Sequence, residues 1–149
     1  MRALVQRVSR ASVEVEGRVV GAIDRGLLVF LGVAASDTEK EADRLAEKVV
    51  RLRCFPDAAG AMNLALPDVA GSGVLAVSQF TLYGDTSKGH RPSFVTAAKA
   101  EQAEALYRAF VDAVKARGIA VAEGVFRAHM QVALVNDGPV TLLLEAGAA

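Results

Sequence analysis

The sequence has few of the residues that stabilise secreted or metal-dependent domains. Its 149 residues include one cysteine, two histidines and no tryptophan. Cys54 has no second cysteine to pair with, and His90 and His129 do not stand at zinc-ligand spacing with it or with each other. We therefore expect a small buried thiol at Cys54, no metal site, no cofactor and a cytoplasmic location.

Long apolar runs and an excess of one charge are also absent. The run 27–33 is far shorter than the ~20 residues that cross a membrane, and no apolar signal segment follows Met1-Arg2, so we expect no membrane association. The 17 basic and 17 acidic side chains cancel, which disfavours binding along many phosphates of a duplex but not binding to the end of a nucleic acid. The length and the 52% hydrophobic content predict one domain, residues 1–149.

Hydrophobic periodicity predicts a mostly antiparallel α+β fold. Period-two alternation or unbroken apolar runs predict strands at 2–10, 11–16, 18–23, 27–33, 62–66, 73–83, 119–123, 126–135 and 140–145. Helical spacing predicts two amphipathic helices, one near 36–53 and one near 99–117. Ser36 and Glu39 would form a capping box on the first, and Gly118 would occupy the C′ position of the second. Strands and helices do not alternate regularly, so we do not expect a doubly wound parallel sheet.

Two polar segments interrupt the apolar strands. Ser78-Gln79-Phe80-Thr81 lies within the predicted strand 73–83, where its polar side chains either bond neighbouring strands or belong to a site. Asn136-Asp137-Gly138-Pro139 separates the last two predicted strands and is typical of a plain hairpin turn. However, a Gly-Pro bond can be cis, and a glycine can expose its backbone to a ligand. Motifs of the P-loop, dinucleotide-binding and nucleophile-elbow types are absent.

These two segments carry a resemblance to a known family. Ser-Gln-Phe-Thr at 78–81 and Asn-x-Gly-Pro-x-Thr at 136–141 resemble the two signature motifs of the D-aminoacyl-tRNA deacylases. Shorter blocks at 5–8, 26–29, 62–63 and 91–94 also resemble that family, in the same order, over nearly the whole chain. The resemblance implies a homodimer in which the mostly antiparallel sheet closes into a barrel-like structure, with the two helices packed outside.

The resemblance also implies an activity. Members of this family hydrolyse the ester that joins a D-amino acid to the 3′ adenosine of tRNA, and glycine esters can also be accepted. Gly138 and Pro139 would form a cis pair that enters the partner subunit's pocket and excludes an L side chain by a clash with backbone carbonyls. The other implied substrate-binding residues are Arg7, which would orient that loop, Asn136, Phe126 and Met130.

For some of these residues, the sequence pattern is equally consistent with a purely structural role. Phe126 and Met130, four residues apart on a predicted strand, share a face that could hold adenine or the acyl group, but core packing explains them equally well. Arg7 shares a strand face with Ala3 and Val5, and the alternative is an ordinary edge-strand arginine.

The roles of three basic residues, Arg127, His129 and His90, stay open. Arg127 and His129 stand where the family more often has a small residue and a variable, often acidic one, and we expect both to face outward. His90 belongs to a polar loop that is either solvated or in contact with tRNA phosphates.

The absence of a histidine base from the two motifs restricts the mechanism. The catalytic segment would be Ser78, Gln79, Phe80 and Thr81, with its backbone amides stabilising an oxyanion while water attacks and the ribose 2′-OH of the tRNA assists. Thr81 is a possible nucleophile, but the sequence offers no evident base for its hydroxyl. Two other functions stay open: a non-catalytic nucleic-acid-binding accessory protein, which the zero net charge disfavours, and a threonine peptidase, which the missing base disfavours.

Overall fold

A computed structural model describes residues 1–147. Along the chain, the elements are β1 (Arg2–Val15), β2 (Arg18–Ile23), β3 (Gly26–Gly32), α1 (Glu39–Arg51), β4 (Phe55–Pro56), β5 (Met62–Leu64), a 3-10 helix (Leu66–Asp68), β6 (Gly73–Ser78), a second 3-10 helix (Phe80–Tyr83), α2 (Ala100–Ala116), β7 (Ala120–Glu123) and β8 (Gln131–Glu145). No helix within this part of the chain is long and apolar enough to span a membrane.

The main sheet is organised around β1. Its strand order is β2-β1-β3-β6-β7, with β8 also paired to β1. β1 is antiparallel to β2, β3 and β8, whereas β3–β6 and β6–β7 are parallel pairs. The two ends of this order meet, because a Cβ added at Gly21 of β2 would lie 2.2 Å from the carbonyl oxygen of Glu123 in β7. The predicted α+β class and nearly closed, barrel-like sheet are therefore confirmed.

The unbroken apolar run of β3 is explained by burial on both faces. Leu28 packs inside the barrel with Val8, Val13, Leu75 and Val77. Its neighbours in β3 face the opposite way, into a larger cluster that the helices cover, which includes Leu27, Val29, Leu31, Leu45, Val49, Phe110 and Val114. Both amphipathic helices thus lie outside the sheet, as their periodicity predicts. Cys54 is a free, buried thiol in the larger cluster, and burial raises its pKa.

The cap of α1 differs from the predicted one. Thr38 is the N-cap, its hydroxyl accepts from the amide of Lys40, and the carboxylate of Glu41 accepts from the Thr38 amide at 2.8 Å. Asp37 is buried and accepts from the Met1 ammonium and from the Ala34 amide, both at 2.7 Å. Because these bonds fix residues 34–37 as a turn, the helix begins after Thr38, and the predicted Ser36 box is wrong.

β8 is a second departure from the sequence prediction. Residues 131–145 form one strand along β1, from the Glu14–Gln131 pair to the Arg2–Glu145 pair, so Asn136–Pro139 is not a hairpin turn. The register shifts on both sides of Val8, and the segment 137–140 bulges out of the ladder there. The chain therefore carries an exposed loop in the middle of a long strand, rather than at its end.

Candidate active site

The first polar segment marks a change in backbone direction. β6 ends at Ser78, and residues Phe80–Tyr83 form a 3-10 helix, so the predicted strand 73–83 is wrong beyond Ser78. Gly32 at the end of β3 permits this turn: a Cβ there would lie 3.1 Å from both the Gln79 carbonyl oxygen and the Leu82 Cβ. The 3-10 helix can thus pack directly against the end of β3, and the strand-face assignment of residues 79–82 does not apply.

This turn leaves two backbone amides free. The Gln79 amide donates to the Leu31 carbonyl at 2.8 Å, and the Leu82 amide donates to the Gln79 carbonyl. Within residues 1–147, the amides of Phe80 and Thr81 between them donate to no protein acceptor. Such orphan donors at the start of a helix can bind a developing negative charge on a ligand oxygen.

The side chains of the same segment include no activated nucleophile. Gln79 donates its amide hydrogen to the Thr81 hydroxyl oxygen, and Thr81 is exposed. Among the described residues, no carboxylate or imidazole bonds the Thr81 hydroxyl and could accept its proton. The hydroxyl is positioned by Gln79 but has no base.

A cavity of about 520 Å³ opens beside these amides. Ser78, Gln79 and Phe80 form one wall. The remaining lining comes from the ends of β6 and β8, the segment before α2, the first turn of α2 and the β7–β8 connection: Val77, Ala98, Ala100, Ala103, Phe126, Arg127, Ala128, His129, Met130 and Val132. Phe80 is 55% exposed and packs against Phe94 in a T-shaped arrangement, with 5.0 Å between ring centroids. The cavity is thus largely apolar, with an aromatic rim.

Phe126 and Met130 line the cavity, but not for the reason that the sequence suggested. Both lie in the connection 124–130, before β8 begins at Gln131, so the predicted strand 126–135 starts too early and the shared-face argument fails. Gly124 allows the connection to fold back, since a Cβ there would lie 2.6 Å from the Met130 sulfur. Arg127 and His129 are exposed, as expected, yet both border the cavity.

Tyr107 is a supporting residue that sequence reasoning missed. Its hydroxyl donates to the Glu123 carboxylate at 3.0 Å, and its ring lies 6.2 Å from that of Phe126. Burial, with the nearby Glu123 charge, raises the pKa of Tyr107, so the hydroxyl stays protonated. Tyr107 stands at a helical core position in α2, and that pattern gives no signal of its contact with the Phe126 ring.

The second polar segment lies elsewhere in the sheet. The Asn136 side-chain amide donates to the carbonyls of Arg7 and Val140, at 2.9 and 3.0 Å, and so clamps the base of the bulge. Gly138 and Pro139 are exposed and joined by a cis peptide bond. None of the residues 136–140 lines the cavity.

Arg7 connects this bulge to the core. The residue is only 9% exposed, and β1 is paired on both sides at this level, so Arg7 is not an edge-strand residue. The guanidinium donates to the carbonyls of Asp137 and Cys54. The bulge is thereby fixed to the barrel by one buried cation and one amide side chain.

The strand register separates the two segments within one chain. Ser78 pairs with Leu31, whereas Arg7, at the level of the bulge, pairs with Leu27. Four residues of β3 span roughly 13 Å at about 3.3 Å per residue. One protomer therefore brings Ser78, Gln79 and Phe80 together with Phe126 and Met130, but not with Gly138 and Pro139.

The chain is similar to known proteins over almost its full length. Residues 4–145 match the family model described as D-Tyr-tRNA(Tyr) deacylase. A D-aminoacyl-tRNA deacylase of Koribacter versatilis is 60% identical over 98% of this chain and 97% of its own length. One of Thermotoga petrophila is 57% identical, with the same coverage of both chains.

Two solved structures share the fold. One, titled c-Myc DNA Unwinding Element Binding Protein, has a TM-score of 0.92 and 41% identity, covering 99% of this chain and 100% of its own. Another, titled as a probable eukaryotic D-amino acid tRNA deacylase, has a TM-score of 0.83 and 18% identity, covering 97% of this chain and 98% of its own. At that identity, the second similarity concerns the fold alone.

Proposed function

The chain belongs to the D-Tyr-tRNA(Tyr) deacylase family, and from this premise we propose that it hydrolyses the ester bond of D-aminoacyl-tRNA, releasing free tRNA and the D-amino acid. The observation that carries the proposal is the cavity beside Phe80, whose amide, with that of Thr81, is free to bind an oxyanion. The relatives with the highest identities quoted above bear the name of this activity. We place the reaction in the cytoplasm, where aminoacyl-tRNA is used.

The reaction needs few protein side chains. The ester carbonyl oxygen would point at the amides of Phe80 and Thr81, which stabilise the negative charge as water attacks the carbonyl carbon. The tetrahedral intermediate then expels the ribose 3′ oxygen, which takes up the proton that the water has lost. The neighbouring 2′-OH of the tRNA would relay this proton, since the described residues place no base at the Thr81 hydroxyl.

The cavity suits the end of the tRNA. Phe126 and Met130 would pack on the terminal adenine or the acyl group, because they supply apolar surface next to the amides. Gln79 would position Thr81 and, through it, the attacking water. Ser78 ends β6 and sets the direction of the chain into the 3-10 helix.

Selection against L-amino acids would come from the bulge of a second subunit. Gly138 and Pro139 are exposed and lie at a level of the sheet about 13 Å along the strands from Ser78, so they would reach a partner's cavity rather than their own. Their carbonyls would occupy the space that an L side chain needs, and a glycyl ester, which has no side chain, would be accepted. Arg7 and Asn136 would keep the bulge in place for this role.

A homodimer is therefore part of the proposal, with each whole chain acting as one domain. β8 carries exposed apolar side chains along the strand that holds the bulge, namely Val135, Leu142 and Leu143, which are 41%, 39% and 52% exposed. A two-fold interface over this strand would cover them and present each bulge to the other subunit.

One observation favours a second candidate function. The structure with 41% identity is titled as a protein that binds a DNA unwinding element, so nucleic-acid binding without catalysis is the alternative. Incubating the purified chain with D-tyrosyl-tRNA separates the two. We expect free D-tyrosine to be released with many turnovers per protein, whereas retention of intact D-tyrosyl-tRNA in a stable complex would favour the binding protein.

A further inference from the structure

The ionisable side chains that line the cavity are all basic. Among the described residues that line it, the only ionisable side chains are Arg127 and His129, which lie in the β7–β8 connection and are exposed. No carboxylate joins this lining. The nearest acidic residue in sequence, Glu123, is already bonded to Arg108 at 3.0 Å and to the Tyr107 hydroxyl. The largely apolar cavity thus has the basic side chains of Arg127 and His129 at its opening.

Arg127 is held at this opening in an unusual backbone conformation. Its φ is +65°, the left-handed region that residues with a Cβ seldom adopt. Arg127 is the third residue of a turn, which the Ala128 amide closes by donating to the Val125 carbonyl at 3.1 Å, and a positive φ is usual at such a position. Among residues 1–147, no carboxylate forms a salt bridge with Arg127, so its guanidinium is available to a ligand.

We infer that Arg127, assisted by His129, binds the 5′-phosphate of the nucleotide whose base occupies the cavity. This inference rests on the proposed function, because the terminal nucleotide of an aminoacyl-tRNA has an adenine, an esterified ribose and one phosphate. The guanidinium fork matches two phosphate oxygens, and the imidazole N–H supplies a further donor. The first turn of α2 borders the same cavity through Ala100 and Ala103, which adds positive potential.

The contact serves binding. Arg127 is not placed at the ester, so its role is to add affinity for the terminal nucleotide rather than to take part in the chemical step. Removing it should weaken the binding of the phosphate-bearing substrate and leave the chemical step unchanged. In kinetic terms, KM for D-tyrosyl-tRNA rises while kcat stays the same.

The sharpest probe compares adenosine 5′-monophosphate with adenosine by calorimetry. Arg127→Gly is the variant to use, because glycine adopts a φ of +65° without strain and so keeps the connection intact. Arg127→Lys retains a charge without the fork. Arg44→Ala removes an exposed arginine from α1, which contributes nothing to the cavity lining, and serves as the matched control.

We expect the unmodified protein to bind the monophosphate about tenfold more tightly than adenosine, as a charged hydrogen-bonded contact would. Arg127→Gly should abolish the difference, Arg127→Lys should keep part of it, and Arg44→Ala should keep all of it. The inference is overturned if the unmodified protein shows no preference for the monophosphate, including no binding of either compound, or if Arg127→Gly keeps the preference. Failure to hydrolyse D-tyrosyl-tRNA would instead refute the proposed function, and the calorimetric comparison stands apart from that result.

Discussion

The guanidinium of Arg7 donates to the backbone carbonyl of Asp137 at 2.9 Å and lies 3.4 Å from its carboxylate. Arg7 sits in the core strand β1, whereas Asp137 begins the exposed bulge of β8. A second bond from the guanidinium reaches the Cys54 carbonyl, which is buried. Together with the Asn136 amide, Arg7 therefore sets the position of the bulge relative to the barrel.

Replacing Arg7 tests this role. Arg7→Ala leaves the carbonyls of Asp137 and Cys54 without their donor, which should lower the free energy of unfolding by roughly 2–3 kcal/mol. Arg7→Lys keeps the charge but not the fork, so the discrimination against L-tyrosyl-tRNA should weaken even where the fold survives. Gln6→Ala, on the other face of the same strand, should change the free energy of unfolding by no more than about 0.5 kcal/mol. Full rejection of L-tyrosyl-tRNA by a folded Arg7→Lys variant would show that the bulge needs no anchor.

Thr38 offers a test of how α1 begins. Thr38→Ala removes the observed N-cap and should lower the free energy of unfolding by about 1 kcal/mol, as measured by urea denaturation. Ser36→Ala, which removes the side chain of the cap predicted from the sequence, should have no effect. A larger loss of stability in Ser36→Ala than in Thr38→Ala would contradict the observed start of the helix.

The same cap has a pH dependence. Hydrogen bonds from Thr38 lower the pKa of Glu41 below its ordinary value of 4.5. The ionised carboxylate therefore contributes stability above pH 4.5, and this contribution is lost as the pH falls through the lowered pKa of the folded state. The difference in the free energy of unfolding between the unmodified protein and Thr38→Ala should accordingly become smaller as the pH falls below 4.5.

Much of the architecture follows from periodicity, but two local features depend on contacts between distant residues. The two-faced burial of β3 and the apolar stripes of both helices are visible in the sequence. The end of β6 at Ser78 depends on Gly32, 46 positions earlier, and nothing near Ser78 signals it. Asn136–Pro139 has the composition of a turn, yet pairing with β1 on both sides of the bulge keeps 131–145 in one strand.

The candidate site shows the same limits. The motif at 78–81 and the pair Phe126 and Met130 are predicted, and the structure gathers most of them around one cavity. Their strand-face geometry is wrong, because residues 124–130 form an irregular connection. Two overlapping capping boxes start at Ser36 and Thr38, and only the buried bonds of Asp37 decide between them.

Replacing Thr81 distinguishes attack by water from covalent catalysis by the Thr81 hydroxyl. Its hydroxyl oxygen accepts from Gln79 and has no base among the described residues. Thr81→Ala should therefore retain the preference for D-esters and much of the rate, since the amides of Phe80 and Thr81 remain. Rapid-quench samples analysed by mass spectrometry should contain no acyl-protein; a complete loss of rate together with a trapped acyl-threonine in the unmodified protein would make Thr81 the nucleophile.

Mixing two variants tests whether a partner completes the site. Gly138→Ala should disable the bulge, because the new Cβ would lie 2.7 Å from the Val140 amide nitrogen and 3.1 Å from the Arg7 guanidinium. This variant should therefore hydrolyse L-tyrosyl-tRNA as well as the D ester. Ala100→Trp should fill the cavity from the first turn of α2 and abolish hydrolysis of both esters. After denaturation and refolding of an equal mixture, half of the open cavities should face an unmodified bulge, so the rate on the L ester per Gly138→Ala chain should fall to about half. A rate on the L ester that mixing leaves unchanged would mean that the bulge does not act across a dimer.

The decisive measurement is the ratio of single-turnover hydrolysis rates on D-tyrosyl-tRNA and L-tyrosyl-tRNA, taken with the same protein preparation and the same tRNA. We expect rapid hydrolysis of the D ester and a rate on the L ester indistinguishable from that without protein, because the partner's bulge would occupy the space of an L side chain. Equal rates on both esters would show that the cavity does not select chirality, and no acceleration of either would show that it is not a deacylase site.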